Sequence, residues 1–359
     1  MDKLHFAPGP SHLYPGVIEW SHEALTTGVA SISHRSKQYS EIHNFAVDQL
    51  RELLDTPADY QVFFVASATE AMERTIQNCV KSQSYHLVNG SFSKRFAAIA
   101  GALGKKVQKF EKEPGQSFDP HELKVPAKAE LVCFTHNETS TGAMTPLETI
   151  YEAKKQRPDV LVAVDVVSSV PVTDLDLTKV DVAFFSVQKG FGLPAGLGVM
   201  VVSPAARQKA KALEAQGIVT GTYHSFREMS IFAEKSQTPE TPNVLGIYLL
   251  GKVAADMNRR GIETLHAETD AKLALLHEIA EVHPELKHFV AEPRHRSRTV
   301  MTLQTGRGSS YYLERLESEG IVVGSGYGSD FKEKHLRIAN FPALSVEDVR
   351  VLTELLRYI

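Results

Sequence analysis

A lysine, Lys189, stands where an apolar run ends and a glycine-rich turn begins, in the stretch DVAFFSVQKGFGLPAGLGVMVVS. The apolar run that leads into it extends from Val182 to Val187, and a second run extends from Val199 to Val202. One interpretation is a charge at a strand edge, which guards a sheet against aggregation. The other is a lysine that forms a Schiff base, because partial desolvation lowers the pKa of its amine and makes it nucleophilic.

Two other predicted strand ends carry residues that could serve the same chemistry. Ser67, Ala68 and Thr69 lie between a strand and a helix. Such residues are usually plain caps, but they also leave the first amides of a helix free to bind a phosphate. Asp165 closes the apolar run of VLVAVDVVSS, and Ser168 follows it as a hydrogen-bond donor. A shielded carboxylate needs a partner, either a turn or a protonated ring nitrogen.

One more strand end, with the residue before the lysine, completes the group. Thr139 lies in FTHNETSTG, which could be no more than an Asx-type turn, and Gln188 directly precedes the lysine. Phe92, in LVNGSFSKRF, is either a core aromatic or a flat face for a ring. Pyridoxal 5'-phosphate requires a lysine, an acid for its ring nitrogen, a helix N-terminus for its phosphate and a flat neighbour. The joint arrangement therefore favours Lys189 as the Schiff-base lysine.

Alternating strands and helices must position these residues. QVFFVAS, YHLVNG, KVQKF, ELVCFTH, VLVAVDVVSS and VAFFSVQ are typical of strands, with amphipathic helices between most of them. Short apolar strands separated by helices predict a mostly parallel sheet covered on both faces, with ligands beyond its carboxyl edge. From about Asn243 longer helices follow. We therefore expect an N-terminal arm and a large domain over residues 1–245, and a small domain over 246–359.

The composition limits the partners. The 359 residues carry a formal net charge of −4 with a pI near 6.4, so no basic excess favours nucleic acid or an anionic membrane. We find no apolar stretch long enough to span a bilayer and no signal peptide. Two cysteines are too few for a disulfide framework, and no metal site is expected. A cytoplasmic location is the expectation.

Eight motifs occur in one order along nearly the whole chain: FAPGP, ISHRSKQY, NETSTG, DVVSS, SVQKGFGLPAGLG, TPETPNV, RHRSRT and LRIANFPA. Together they resemble the class V aminotransferases of fold type I, and within them the phosphoserine aminotransferase branch. The resemblance implies a pyridoxal-phosphate-dependent transferase with a mostly parallel, seven-stranded-type sheet in its large domain and a smaller C-terminal α/β domain.

The resemblance also assigns the cofactor residues. Lys189 would carry the cofactor, Asp165 would pair with its ring nitrogen, and Phe92 would stack on its ring. Thr139 and Gln188 would flank its phenolic oxygen. The remaining cofactor residues would be Ser67, Ala68, Thr69, Ser168 and Thr241. Thr241 matches a threonine that reaches the phosphate of the neighbouring subunit, which implies a homodimer with shared active sites.

For the substrate, the resemblance assigns Arg337 to the α-carboxylate. A planar guanidinium suits a carboxylate because it donates two parallel hydrogen bonds. His34 and Arg35 match a pair that approaches the side-chain phosphate from the neighbouring subunit, and Arg298, in RHRSRT, offers a second basic group.

One feature departs from the family pattern. Asp330 and Phe331 occupy the places of a usual phosphate-binding His-Arg pair.

The predicted function is transamination between amino acids and 2-oxo acids, in which glutamate and 3-phosphonooxypyruvate give 2-oxoglutarate and O-phosphoserine. The alternative within the family is a transaminase for serine, alanine or glyoxylate, which the missing His-Arg pair favours. From another class, a nicotinamide-dependent dehydrogenase would need G-x-G-x-x-G after the first strand, where this chain has VASATEA.

Overall fold

The computed structural model describes residues 3–359. The strands are β1 Leu4–Phe6, β2 Gln61–Val65, β3 Gln83–Val88, β4 Lys106–Glu111, β5 Leu131–Thr135, β6 Asn137–Glu138, β7 Ala143–Met144, β8 Leu161–Asp165, β9 Val182–Ser186, β10 Gly198–Val202, β11 Leu286–His288, β12 Val300–Thr305, β13 Ile321–Ser325 and β14 His335–Ala339. The α-helices are α1 Val17–Thr26, α2 Lys37–Leu53, α3 Ala68–Cys79, α4 Ser91–Ala102, α5 Leu147–Gln156, α6 Pro204–Ala215, α7 Phe226–Ala233, α8 Val244–Arg260, α9 Ile262–Val282, α10 Ser309–Ser318 and α11 Val346–Tyr358.

The larger sheet has seven strands in the order β2-β10-β9-β8-β5-β3-β4. The neighbours from β9 to β4 pair in parallel, whereas β10 is antiparallel to both β2 and β9. Since the carboxyl ends of parallel strands meet at one edge, the residues that follow β5, β8 and β9 come together there. This edge positions the candidate site.

Alternate residues of each central strand enter two different cores. In β8, Val162 and Val164 face a core with residues of α1, α2, α5 and α8, whereas Leu161 and Ala163 face a core with residues of α3, α4, α6 and α7. A strand buried on both faces needs apolar residues at every position, because successive side chains point to opposite faces. The run VLVAV therefore follows from its place in the middle of the sheet.

The smaller sheet has five strands in the order β1-β13-β14-β12-β11. Its core contains residues of α9, α10 and α11. The first strand of the chain lies in this sheet, where β1 pairs in parallel with β13. The N-terminal segment thus connects the smaller sheet to the larger one. The domain boundary between residues 245 and 246 stays a prediction.

The predicted fold class, a mostly parallel sheet between helices plus a smaller α/β part, is confirmed. The structure adds α1, α6 and α7, none of which the sequence patterns above predict. No helix within residues 3–359 is long and apolar enough to cross a membrane.

Candidate active site

Lys189 lies just beyond the carboxyl end of β9 and is buried, with 7% of its surface exposed. Its Nζ donates to the Pro8 carbonyl oxygen at 2.8 Å and to Thr139 Oγ1 at 3.5 Å. Burial lowers the pKa of the amine to about 8; the Asp165 carboxylate opposes that shift and the Arg337 guanidinium adds to it. A substantial fraction of the amine is therefore neutral near physiological pH, as a nucleophile requires.

The glycine after the lysine is required by a close backbone contact. A Cβ on Gly190 would lie 1.9 Å from the Val170 carbonyl oxygen, so no larger residue fits there. The N-terminal segment then covers the turn: Ser11 donates from its N–H to Gln188 O at 3.0 Å and from its hydroxyl to Lys189 O at 2.9 Å. The lysine is therefore held between the sheet edge and the FAPGP segment.

Asp165 is the last residue of β8 and is 3% exposed. Burial raises the pKa of its carboxyl to about 7, against the N–H of Val167, which donates to Oδ1 at 2.9 Å. Beside it, Thr139 Oγ1 and Ser168 Oγ lie 2.8 Å apart. Asn137 Nδ2 donates to Ser168 Oγ at 2.9 Å and orients this hydroxyl pair. These contacts connect the ends of β5, β8 and β9 into one hydrogen-bond network that includes the lysine.

Phe92 stands in the first turn of α4, with its ring centroid 5.4 Å from Lys189 Nζ. A buried carboxylate, Glu138, holds that turn: it accepts the backbone N–H groups of Phe92 at 3.1 Å and of Ser93 at 2.9 Å. An anion at a helix N-terminus is favoured by the helix dipole. Phe92 is thus aimed at the lysine by a glutamate that follows a neighbouring strand. Glu138 belongs to the motif NETSTG, but Phe92, whose backbone N–H it accepts, lies 46 residues earlier in the sequence.

Arg337, in β14, approaches the same space from the smaller sheet. Its Nε donates to Ser325 O at 2.8 Å, its Nη1 donates to Thr139 O at 3.2 Å, and burial lowers its pKa to about 10. It forms an ion pair with no carboxylate of residues 3–359. A desolvated guanidinium without a counter-ion is suited to a carboxylate ligand.

Two further side chains, Tyr327 and Arg95, lie near Phe92 and Arg337, and neither is predicted from the sequence. The ring of Tyr327 lies 5.2 Å from the ring of Phe92 and 5.3 Å from the Arg337 guanidinium carbon. Arg95 donates to the Tyr327 hydroxyl at 3.3 Å and lies 5.1 Å from the centroid of Phe92. The spacing of three residues between Phe92 and Arg95, which brings two side chains together on a helix, is the signal that could have identified Arg95.

Ser67, Ala68 and Thr69 lie at the start of α3, as predicted. Ser67 caps the helix by accepting the Glu70 N–H at 3.2 Å, and the Ala68 N–H donates to Ser186 Oγ at 2.7 Å. The N–H and the hydroxyl of Thr69 have no hydrogen-bond partner within residues 3–359. The free donors for an anion at this helix end therefore belong chiefly to Thr69.

These side chains fit pyridoxal 5'-phosphate. Next to the lysine, Gln188 Oε1 is buried without a hydrogen-bond partner in the described part of the chain, so a polar group is missing there. Burial raises the pKa of Asp165, and a cationic ring nitrogen beside it would stabilise its carboxylate. When bound, the cofactor supplies an electron-withdrawing ring for chemistry at the α-carbon of an amino acid. Lys189, Asp165, Phe92 and Thr69 would hold its aldehyde, ring nitrogen, ring face and phosphate.

The structure leaves four predicted residues outside this cluster. Arg298 donates to Asp270 Oδ1 at 2.9 Å and to Val172 O at 3.2 Å, and it lines a separate cavity of about 470 Å³. His34 and Arg35 precede α2, and Thr241 is exposed before α8. None of these four contacts the Lys189 side chain within residues 3–359.

Arg35 and the 237–241 segment lie together. Arg35 donates to Thr238 O at 2.7 Å and to Gln237 Oε1 at 2.9 Å. In the same segment, Glu240 accepts from His224 Nε2 at 2.9 Å, while His224 Nδ1 contacts the Glu70 carboxylate at the start of α3. Burial alone would lower the pKa of His224, but its two glutamate partners outweigh burial and raise it to about 9.

The comparisons with known proteins agree with this site. The family profile of class V aminotransferases matches residues 4–343. The chain belongs to the class V aminotransferase family, and it is an aminotransferase that depends on pyridoxal phosphate. The predicted family, enzyme class and cofactor are confirmed, and the dehydrogenase alternative is wrong.

Within the family, two relatives carry the same name. A phosphoserine aminotransferase of Rhodococcus opacus is 27% identical over 97% of this chain and 93% of its own length. A crystal structure of a phosphoserine aminotransferase from Cytophaga hutchinsonii is 45% identical, has a TM-score of 0.98 and covers 99% of this chain and 98% of its own. An aspartate aminotransferase from Thermus thermophilus shares the fold with a TM-score of 0.86 at 24% identity.

Proposed function

We propose that this chain is a phosphoserine aminotransferase, which converts glutamate and 3-phosphonooxypyruvate to 2-oxoglutarate and O-phosphoserine. The observation that carries the proposal is the 45% identity to the Cytophaga hutchinsonii phosphoserine aminotransferase over nearly the whole chain. The unpaired Arg337 guanidinium beside the Lys189 amine supports it, because every substrate of this reaction has a carboxylate next to its reacting carbon.

The roles of the side chains follow from their positions. Arg337 binds the α-carboxylate and thereby orients the α-carbon toward Lys189. The free amine of Lys189, with its lowered pKa, would take the proton from the substrate α-carbon and later return a proton, and the bound cofactor would supply the electron-withdrawing ring for this transfer. With the cofactor bound, Asp165 would stabilise positive charge on its ring nitrogen, and Phe92 and Thr139 would orient its ring.

We further propose a homodimer in which His34, Arg35 and Thr241 serve the neighbouring site. Helices α1 and α2 carry exposed apolar side chains, among them Ile18 (77% exposed) and Leu25 (61% exposed). Exposed apolar surface often marks a protein–protein interface, which supports a dimer. Mixing inactive Lys189→Ala subunits with inactive Arg35→Ala subunits should restore activity, because a mixed dimer holds one site with both groups intact. No recovery after verified subunit exchange would contradict the shared site.

The location proposed for this activity is the cytoplasm. Both cysteines, Cys79 and Cys133, are free and buried, which suits a reducing compartment.

A second candidate is transamination of serine, alanine or glyoxylate. It is favoured by the segment that replaces the family's His-Arg pair: Asp330 is exposed, and the Phe331 ring stacks on His335 at 4.7 Å. No cation is supplied at these two positions. The phosphate must therefore find its positive partners elsewhere if the first candidate is correct.

A half-reaction titration distinguishes the two candidates. The absorbance of the bound cofactor is followed while O-phosphoserine, glutamate, serine and alanine are added separately. We expect the largest kcat/KM for O-phosphoserine, with glutamate as the second good donor. A larger kcat/KM for serine or alanine would assign the chain to the second candidate. Lys189→Ala is the control, because it should bind cofactor without converting it.

A further inference from the structure

Arg95 brings a second unpaired guanidinium to the candidate active site. Its Nη2 donates to the neutral hydroxyl of Tyr327 at 3.3 Å, and no carboxylate of residues 3–359 forms an ion pair with it. Its guanidinium carbon lies 5.1 Å from the centroid of Phe92, and Lys189 Nζ lies 5.4 Å from the same centroid. Arg95 and the reacting amine therefore contact the same Phe92 ring, and Arg95 is partly buried without a counter-ion.

The other arginines that could bind a second anion already donate to acceptors of their own chain, including Arg35, which we assign above to the site of the neighbouring subunit. Arg35 has three oxygen acceptors, from Gln237, Thr238 and Pro239 at 2.7–3.1 Å, and lies 4.6 Å from the ring of Phe232. Arg298 is paired with Asp270, and Arg296 donates to two backbone carbonyl groups. A guanidinium with several internal acceptors loses some of them when it binds a ligand, whereas Arg95 has a single acceptor, the Tyr327 hydroxyl, and can keep it while its other N–H donors bind the ligand.

The rings of Phe92 and Tyr327 connect the two unpaired guanidinium groups. The ring centroids lie 5.2 Å apart, with Arg95 near Phe92 and Arg337 5.3 Å from Tyr327. An amino acid with an anion at each end could place its α-carboxylate on Arg337 and its other anion on Arg95. Both amino acids of the proposed reversible reaction have that form, since glutamate carries a second carboxylate and O-phosphoserine a phosphate.

We propose that Arg95, positioned by the Tyr327 hydroxyl, is a specificity-determining residue that binds the second anionic group of dianionic amino-acid substrates. This inference rests on the proposed function and deepens it. It provides a positively charged partner for the second anion in a chain that has Asp330 and Phe331 in place of a His-Arg pair. The neutral Tyr327 hydroxyl holds the guanidinium in place and leaves its other N–H donors for the ligand.

The test compares substrates with and without a second anion in cofactor-loaded enzyme. Arg95→Gln should lower kcat/KM for O-phosphoserine and glutamate by about 10- to 100-fold, the scale of lost charge-assisted hydrogen bonds. Serine and alanine should change by less than about 3-fold. Arg95→Lys should recover part of the loss, because it keeps the charge but not the planar fork. Lys94→Gln, which removes the same charge from the adjacent exposed position, is the matched control.

The outcomes separate three explanations. Equal losses for all four amino acids would mean that Arg95 only supports the Phe92 ring, which overturns the inference. Equal losses in Lys94→Gln and Arg95→Gln would mean long-range attraction, which also overturns it. The proposed function fails independently if the wild-type enzyme prefers serine or alanine to O-phosphoserine. In that case the glutamate-to-alanine ratio still tests Arg95, because glutamate alone carries the second anion.

Discussion

Replacing Glu138 tests how the first turn of α4 is held in place. Glu138 has none of its surface exposed. Its carboxylate accepts the N–H groups of Phe92 and Ser93 and the hydroxyls of Ser93 at 2.9 Å and Ser140 at 2.6 Å. The Glu138 side chain packs directly against Gly90, since a Cβ at residue 90 would lie 2.3 Å from it. The carboxylate therefore satisfies the helix start that carries Phe92.

The size of the effect follows from these contacts. Loss of a capping acceptor costs about 0.5–2 kcal/mol, and loss of a hydrogen bond to a charged group costs about 1.5–3 kcal/mol. The individual costs are not additive, because the donors share one carboxylate. We expect Glu138→Ala to lower the free energy of unfolding by about 3–5 kcal/mol, the range for removing one partner of a buried charged contact. Glu138→Gln keeps an amide oxygen as acceptor and should lose about 1–2 kcal/mol.

The assay is urea unfolding at one fixed protein concentration, with and without cofactor, followed by circular dichroism. Glu354→Ala in α11 is the control, because Glu354 is exposed and makes no ion pair within residues 3–359. The absorbance of bound cofactor gives a second measurement, since a displaced Phe92 ring should shift its band. A loss below about 1 kcal/mol in Glu138→Ala, or equal losses in the alanine and glutamine variants, would refute this account of the helix start.

Three further predictions concern the lysine, the acid and a histidine outside the cluster. Gly9→Ala should lower kcat about 10- to 100-fold, because φ is +140° and a Cβ would lie 3.0 Å from Lys189 Nζ; unchanged kcat would contradict the contact. Asp165→Asn should keep most cofactor, measured by absorbance, but lose about 100-fold or more of kcat, because an amide cannot keep the ring nitrogen protonated. Normal turnover would make Asp165 a turn residue. Because the folded-state pKa of His224 is raised from 6.5 to about 9, its stabilisation is complete below pH 6.5 and is lost as the pH rises through 9. Urea midpoints at pH 6 and 9.5 should show this fall in the wild type and a smaller one in His224→Gln.

Local sequence patterns were sufficient to predict most of the large sheet. The apolar runs at β5, β8 and β9 are continuous because both faces of these strands are covered, and that pattern is visible without a structure. Helices α1, α6 and α7 are not predicted by these patterns. Helix α1 has Gly16 at its N-cap and therefore no side-chain cap. Helices α6 and α7 each begin at a serine cap, Ser203 and Ser225, so a start signal was present in the sequence.

The site residues likewise divide into those that the sequence predicts and those that it does not. Lys189, Asp165 and Thr139 could be predicted because each lies at, or a few residues beyond, the carboxyl end of a strand of the larger sheet (β9, β8 and β5), and parallel strands bring these ends together. The Pro8 carbonyl reaches Lys189, and the Tyr327 ring reaches Phe92, only through the pairing of β1, β13 and β14 in the smaller sheet. Contacts that depend on how two sheets are arranged leave no local pattern, so these residues could not be found from the sequence.

Burial, more than attraction between charges, sets the protonation of the reacting pair. It lowers the pKa of Lys189 to about 8 and raises the pKa of Asp165 to about 7, although each charge favours ionisation of the other. Both pKa values therefore lie near neutral pH. A protonated ring nitrogen beside Asp165 would stabilise its carboxylate, and a substrate carboxylate on Arg337 would neutralise the positive charge that helps to lower the pKa of Lys189. Substrate binding should therefore make the released amine a stronger base at the step in which it must take a proton.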